Sequence, residues 1–262
     1  MDLAVVAVVA LLASGLTMFS GFGLGTLLLP VFALFLPVEL AVAATALVHG
    51  ANSALKVALL GGQADLRVVL RFGLPAIAAA LGGAALLSLL SDLPALWTYS
   101  LLGRQAVVTP LKLAMAVLMA GFAVLELHPR SARLQIARRW LSLGGLVSGF
   151  FGGLSGHQGA LRAAFLSRLG LSPQAFVATS AVLGLMVDLV RLAAYGAILR
   201  GAHLAALAGS RDGALVAVGA LAAFAGVLLG KRVLQKITMT AVQRITGGLL
   251  LLVAVMLGLG LV

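Results

Sequence analysis

A glycine-rich interruption inside apolar sequence occurs twice in this chain. The copies, Ser20-Gly21-Phe22-Gly23-Leu24-Gly25 and Ser155-Gly156-His157-Gln158-Gly159, align at a constant offset of 135 residues. The first lies within an apolar stretch running from about Leu3 to Leu36. One straight helix over that stretch would reach about 50 Å, far beyond a hydrocarbon layer of ~30 Å. The stretch must therefore break, and unwound backbone at membrane depth is tolerated only where protein or a water-filled cavity surrounds it. Paired breaks at matching places in two halves point to the binding site of a transporter.

The remaining sequence forces the same setting. Hydrophobic residues make up 62% of the 262 residues and charged residues 10%, more apolar side chain than a soluble domain of this length can bury. The apolar runs are continuous rather than alternating, which predicts an all-α polytopic membrane protein and excludes a barrel. The net charge of +11 does not indicate nucleic acid, because the basic residues fall between hydrophobic runs instead of forming one stripe. Absence of cysteine removes disulfides, thiol catalysis and thiolate metal sites. Met1-Asp2-Leu3 lacks the basic region of a signal peptide, so the first apolar run is expected to belong to the mature fold.

Two halves are expected. The first repeat, residues 1–127, would hold a broken hairpin over 3–36 and crossings at 38–60, 72–90 and 107–127. A basic linker, 128–139, leads to the second repeat, 140–262, with a broken hairpin over 140–166 and crossings at 173–199, 213–229 and 245–262. Pro94, Trp97 and Tyr99 suggest a short interfacial segment, and Trp140 a headgroup anchor. If each hairpin enters and leaves on one side, eleven basic residues between Arg67 and Arg244 collect on one face, against Arg104, Arg200 and Arg211 on the other. That bias makes the rich face cytoplasmic, puts both termini on the non-cytoplasmic side and orients the halves oppositely, as an inverted repeat. Polar residues match across the halves: Ser20 with Ser155, Thr45 with Ser180, and Lys56 with Arg191.

Thr45, His49, Asn52, Ser53 and Lys56 fall on one face of the helix after the first break. The second half offers Ser180, Asp188 and Arg191 at the equivalent positions, with Gly184 and Val187 in the remaining places. Polar and ionisable groups in a spanning helix are costly and face the bundle interior or a pathway. Lys56 and Arg191 are expected either to line that pathway or to snorkel. Asp188, one turn before Arg191, is expected to pair with it or to carry a proton. His157 is the leading single candidate, since an imidazole at a break can donate to an anion or pass protons; the alternative is a ring satisfied by neighbouring carbonyls. Arg162 either closes an anion site or marks the cytoplasmic mouth. Candidate substrate contacts are therefore Ser20, Gly21, Gly23, Asn52, Ser155, Gly156, His157 and Gln158. Lys56, Arg162, Asp188 and Arg191 are candidates for gating or field, and His157 and Asp188 for proton coupling.

Several chemistries are set aside. Gly145-xxx-Gly149-xxx-Gly153 fits close helix packing as readily as a site. His49, His128 and His203 lie in unrelated segments, so no metal site is expected. Ser155-Gly156-His157 lacks the strand–turn–helix context and acid partner of a hydrolase, and no nucleotide-binding loop is present. No cofactor is expected, and transport would run on gradients. Lys112 and Glu126 read as end-of-helix charges.

These residues resemble the TauE/SafE family of sulfite and organosulfonate exporters. Gly21-Phe22-Gly23-Leu24-Gly25-Thr26-Leu27-Leu28-Leu29-Pro30 matches the first of that family's two glycine-rich motifs. The second, Gly152-Gly153-Leu154-Ser155-Gly156-His157-Gln158-Gly159, departs from the usual triple-glycine form and has Phe165 at the equivalent of Pro30, as one branch of the family would. The resemblance implies secondary transport of a small sulfur-containing anion such as sulfite, sulfoacetate or a related sulfonate; the residues themselves indicate an anion and are silent on sulfur. The expectation is an exporter in a prokaryotic-type inner membrane, not an enzyme, binding a small organic or inorganic anion between the two breaks near the membrane centre. Its partners would be that anion and the lipid bilayer, with a homodimer open as an assembly. A passive anion channel, an intramembrane enzyme and a non-transporting assembly subunit are the alternatives.

Overall fold

The computed structural model describes residues 2–20, 24–101, 104–128, 136–198, 210–233 and 239–262. Helices α1 (Asp2–Ser20), α2 (Leu24–Ala33), α3 (Val38–Leu60) and α4 (Leu66–Ser91) come first. A hairpin of β1 (Trp97–Leu101) and β2 (Arg104–Val108) and helix α5 (Pro110–Leu127) follow. Then come α6 (Leu141–Ser155), α7 (Gly159–Leu166), α8 (Pro173–Ile198), α9 (Arg211–Val233) and α10 (Met239–Gly258). Five of them, α3, α4, α5, α8 and α9, are long and apolar enough to cross a membrane. The chain is an all-α polytopic membrane protein.

The second interruption breaks the chain into α6 and α7, of 15 and 8 residues. At 1.5 Å per residue these reach about 22 and 12 Å, so neither crosses alone. Gly156 ends α6 in the left-handed region at φ 82°, and its N–H bonds to the carbonyls of Phe151 and Gly152. Both ends of this hairpin meet one face of the bundle. Ser142 Oγ donates to Arg71 O at 3.2 Å, and Ile136 N to Ala164 O at 3.2 Å. In the first interruption, α1 ends at Ser20 and α2 begins at Leu24. Gly21, Gly23 and the side chain of Ser20 lie outside the described residues. Val6, near the start of α1, and Phe32, near the end of α2, both flank Gly219, which draws the ends of this hairpin together as well. Its arms, 19 and 10 residues, are longer than those of α6 and α7.

Several boundaries differ from those expected. Residues 107 and 108 are strand rather than helix, with Trp97 opposite Val108 in an antiparallel pair. Pro110 takes the first position of α5, where its missing N–H costs nothing, and Thr109 Oγ1 accepts from the Lys112 amide to cap that start. The interfacial segment expected around Trp97 and Tyr99 is thus a hairpin, tied to the C-terminus by Tyr99 Oη donating to Leu259 O at 2.7 Å. Helix α4 begins at Leu66 rather than 72, because the Asp65 carboxylate accepts from the amides of Arg67 and Val68. Arg67 and Arg71 therefore sit in its first two turns. Helices α9 and α10 begin at Arg211 and Met239, ahead of the expected 213 and 245.

Packing pairs α4 with α6, α1 with α9, α3 with α8 and α5 with α10; α4 also lies on α8 and α3 on α9. The glycines of α6 make the first contact close. A Cβ at Gly145, Gly149 or Gly153 would lie 2.1, 2.2 or 2.0 Å from the carbonyl oxygen of Phe72, Ala76 or Ala80. The glycine stripe is therefore a packing surface. Gly226 of α9 serves α1 in the same way, a Cβ there falling 2.2 Å from Leu11 O. Leu66, Leu70, Leu74, Leu81 and Leu89 of α4 are exposed, as a lipid-facing stripe requires.

Gly149→Ala should force α6 from α4 and destabilise the protein by about 1–3 kcal/mol, as overpacking does. Gly82→Ala, where a Cβ meets nothing within 4 Å, should leave the melting temperature unchanged or raised. Thermal unfolding of the two purified variants checks the contrast.

Candidate functional site

The α3 face read from sequence is buried as a unit: Thr45, His49, Asn52, Ser53 and Lys56 are all shielded, as are Ser180, Asp188 and Arg191 on α8. Where α3 meets α8 the helices close on one carboxylate. Asp188 Oδ2 lies 2.5 Å from His49 Nδ1. Its Oδ1 accepts from Arg191 Nε at 3.0 Å and Gln158 Nε2 at 3.2 Å, with Arg191 Nη2 at 2.8 Å. Asp188 thus pairs with Arg191, and Arg191 lines the interior instead of snorkelling, with no exposure at all.

The break at Gly156 is built around that pair. Arg191 Nη1 donates to Gly152 O at 3.2 Å, and Tyr195 Oη donates to Gly153 O. A Cβ at Gly156 would stand 2.7 Å from Arg191 Nη1, so this position needs glycine for space as well as for its positive φ. What Gly156 offers is room, because its own N–H is taken by the helix cap. Gln158 continues the network: its backbone carbonyl accepts from Ser148 Oγ at 3.1 Å, and its Oε1 accepts from Arg162 Nη1 at 3.0 Å. Gly184 makes space in α8 for three side chains, a Cβ there falling 3.2 Å from His49 Cε1, 3.3 Å from Ser53 Oγ and 3.4 Å from Arg162 Nη1. Lys56 lies within electrostatic reach of Arg162.

His157 is buried, its ring stacked on Phe122 at 4.7 Å between centroids. Nδ1 lies 3.0 Å from Ser155 Oγ, which also donates to Phe151 O at 3.1 Å. Turning the Ser155 hydroxyl from Phe151 O to Nδ1 would switch the imidazole tautomer and convert Nε2 from acceptor to donor. His157 Nε2, Arg162 Nε and Ser180 Oγ have no hydrogen-bond partner among the described residues. Among the described residues no carbonyl bonds Nε2 of this ring.

The two interruptions abut: a Cβ at Gly25, in the first turn of α2, would lie 3.1 Å from the Gly156 carbonyl oxygen. Asn52 turns elsewhere, its Oδ1 lying 2.7 Å from Ser14 Oγ, which also lies 2.6 Å from Ala223 O. It joins α3 to α1 and α9. Glu126, read as an end-of-helix charge, is buried on α5 one turn beyond Phe122. Sequence reasoning missed His49 as the partner of Asp188, and it missed Tyr195 and Phe122. Tyr195 was accessible, since 188, 191 and 195 share one helical face. No group of three or more metal-ligating His, Cys, Asp or Glu occurs among the described residues.

A protein-family model described as Sulfite exporter TauE/SafE matches residues 6–257. Comparison with curated proteins and with solved structures returned no match.

Breaking the buried pair from one side should cost far more than removing it whole. Arg191→Met is expected to destabilise by about 3–5 kcal/mol, because it strands Asp188 in low dielectric. Adding Asp188→Asn should recover at least about 1 kcal/mol of that loss, read from a double-mutant cycle of unfolding free energies. Additive losses would show that the two groups do not act on one another.

Proposed function

The chain belongs to the sulfite exporter TauE/SafE family, and from that premise we propose that it carries a small sulfur-containing oxyanion, such as sulfite or a C2 sulfonate, out of the cell by alternating access. One observation carries the reading: an excess of buried positive charge. Among the described side chains of this cluster, Arg162 and Arg191 are withdrawn from water around a single carboxylate, Asp188. Each buried ion costs several kcal/mol unless countered, so an entering anion supplies charge that this interior lacks. The unpartnered Arg162 Nε, Ser180 Oγ and His157 Nε2 support the same reading, because an oxyanion can satisfy donors on several sides. In this proposal Ser155, His157, Gln158 and Arg162 contact the anion while Lys56 and Arg191 set the field. Ser20, Gly21 and Gly23 are proposed as further anion contacts, a role favoured by Gly25 standing against Gly156.

An inverted repeat supports alternating access, and the packing favours it. Exchanging first-half helices for their second-half counterparts turns the α1–α9 contact into α6–α4, and α3–α9 into α8–α4. The basic ends then face the cytoplasm and both termini lie outside. An interior-negative potential favours anion exit by about 2.3 kcal/mol per charge per 100 mV.

In proteoliposomes, His157→Ala should abolish sulfite counterflow, and Arg162→Gln should lower it at least about tenfold, equivalent to ~1.4 kcal/mol of binding. Both variants should keep wild-type melting temperatures. Wild-type rates in both would remove these side chains from the site, and a wild type that moves no sulfite or sulfonate would end the reading. Orientation has its own test, helped by a chain without cysteine. Val262→Cys should react with an impermeant thiol reagent from outside intact cells, and Ser131→Cys only after permeabilisation.

A further inference from the structure

We infer that His49 is the proton-coupling group of this carrier, so that a proton bound at its imidazole enters and leaves the site together with the anion. This rests on the anion site proposed above and adds to it a coupling ion and the residue that holds it.

The geometry distinguishes His49 from every other group in the cluster. Its Nδ1 faces Asp188 Oδ2 at 2.5 Å. An ionised carboxylate only accepts, so the hydrogen in that contact sits on Nδ1 and Nε2 is the basic nitrogen. The His49 side chain keeps 11% of its surface while the Asp188 carboxylate keeps none. The imidazole is therefore the more open side of the pair. Gly184, by leaving a gap beside Cε1, lets the ring sit there at all.

The charged surroundings come from every neighbouring element. Helix α8 presents Asp188 and, on the far side of that carboxylate, Arg191; α7 presents Gln158 and Arg162. Helix α3 itself carries Lys56, and Gly25 of α2 stands beside the ring, a Cβ there falling 3.7 Å from His49 Cδ2. Among the described side chains of α9 the charged ones are Arg211 and Asp212, in its first turn, where Arg211 pairs with Asp2. Among the described residues Asp188 is thus the carboxylate that holds His49.

The chemical step is a simple addition. A proton from water takes the lone pair of Nε2, Nδ1–H remains on Asp188, and the imidazolium forms with no other bond changed. When the anion departs, the proton returns to water from Nε2. The added positive charge sits beside the cations that hold the anion, so it tightens anion binding. By reciprocity the bound anion tightens the proton by the same factor. Positive coupling of this sign makes the pair travel together. Among the described residues His157 bonds no carboxylate and lies flat on Phe122, which suits it to contact cargo but not to couple it. A dianion accompanied by one proton still moves one negative charge outward, so the membrane potential continues to favour export.

Calorimetric titration of sodium sulfite into purified wild-type protein and His49→Gln, each in two buffers of different ionisation enthalpy near neutral pH, counts protons taken up per anion. Sulfite's own ionisation is common to both proteins and cancels. The wild type should take up more than the variant, by a difference approaching about one proton per anion, the limit set by a single coupled site. Equal counts overturn the inference while leaving the anion site standing. Failure of the wild type to bind sulfite overturns both. A second measurement needs no variant: with the potential clamped at zero by potassium and valinomycin, an acidic exterior should drive sulfite into wild-type proteoliposomes beyond the level in protein-free vesicles. Accumulation equal to that of protein-free vesicles would sink the coupling whatever His49→Gln does.

Discussion

An ionised carboxylate withdrawn from water costs several kcal/mol unless cations and donors surround it, and Asp188 imposes that requirement at the middle of the bundle. Meeting it takes groups from three helices: His49 from α3, Gln158 from α7 and Arg191 from α8 itself. None can be moved without stranding a charge. The position of α7, only eight residues long and unable to cross alone, follows from this. Its first turn is fixed because Gln158 bonds Asp188 through one side-chain atom and Arg162 through the other. Helix packing then has to bring α3 and α8 together at the depth where these side chains lie, and Gly50 and Gly184 allow it. A Cβ at Gly50 would stand 3.3 Å from Asp188 Cβ.

The α6 glycines separate two jobs along one helix. Gly145, Gly149 and Gly153 face α4, where a methyl group would collide with main-chain carbonyls. Close approach of this kind gives van der Waals contact where lipid tails offer no hydrophobic drive for helices to associate. The carbonyls of Gly152 and Gly153 meanwhile point at α8 and accept from Arg191 and Tyr195. Those oxygens are near the C-terminal end of α6, where the helix dipole favours a cation. Gly152 O, which also accepts from the Gly156 N–H, uses its second lone pair to hold the arginine.

The legible parts of the sequence were those set by local spacing. The glycine interruption at 156, the polar face from Thr45 to Lys56 and the Asp188–Arg191 pair three residues apart all follow from helical periodicity. What periodicity cannot state is which helix lies opposite which. His49 and Asp188 are separated by 139 residues, and nothing in either helix names the other as its partner. Asn52 shares a face with His49, yet it sits far enough round the helix to meet Ser14 of α1 instead. The strand pair at 97–108 was hidden for a different reason. Val107 and Val108 are apolar enough to extend the following helix on paper, and only Pro110 and the capping Thr109 mark where the helix begins. Glu126 does stand in the last turn of α5 as expected, yet it is buried there, and nearness to a helix end does not reveal burial.

Asp188 also explains why binding and gating would be one event in the proposed carrier. Its two strongest holds come from different parts of the chain: Arg191 rides on the same helix, while His49 rides on α3 in the first half. Any displacement of α3 against α8 leaves the Arg191 contact intact and stretches the His49 contact, so the latter alone can report a change between states. In the proposed carrier, an anion arriving beside Arg162 would draw on the field of Arg191 and so weaken its hold on Asp188, which would then lean on His49. That movement would strengthen the link between α3 and α8 while cargo is present. Cargo, proton and helix crossing would then be three loads on a single carboxylate, coupled through its low-dielectric setting.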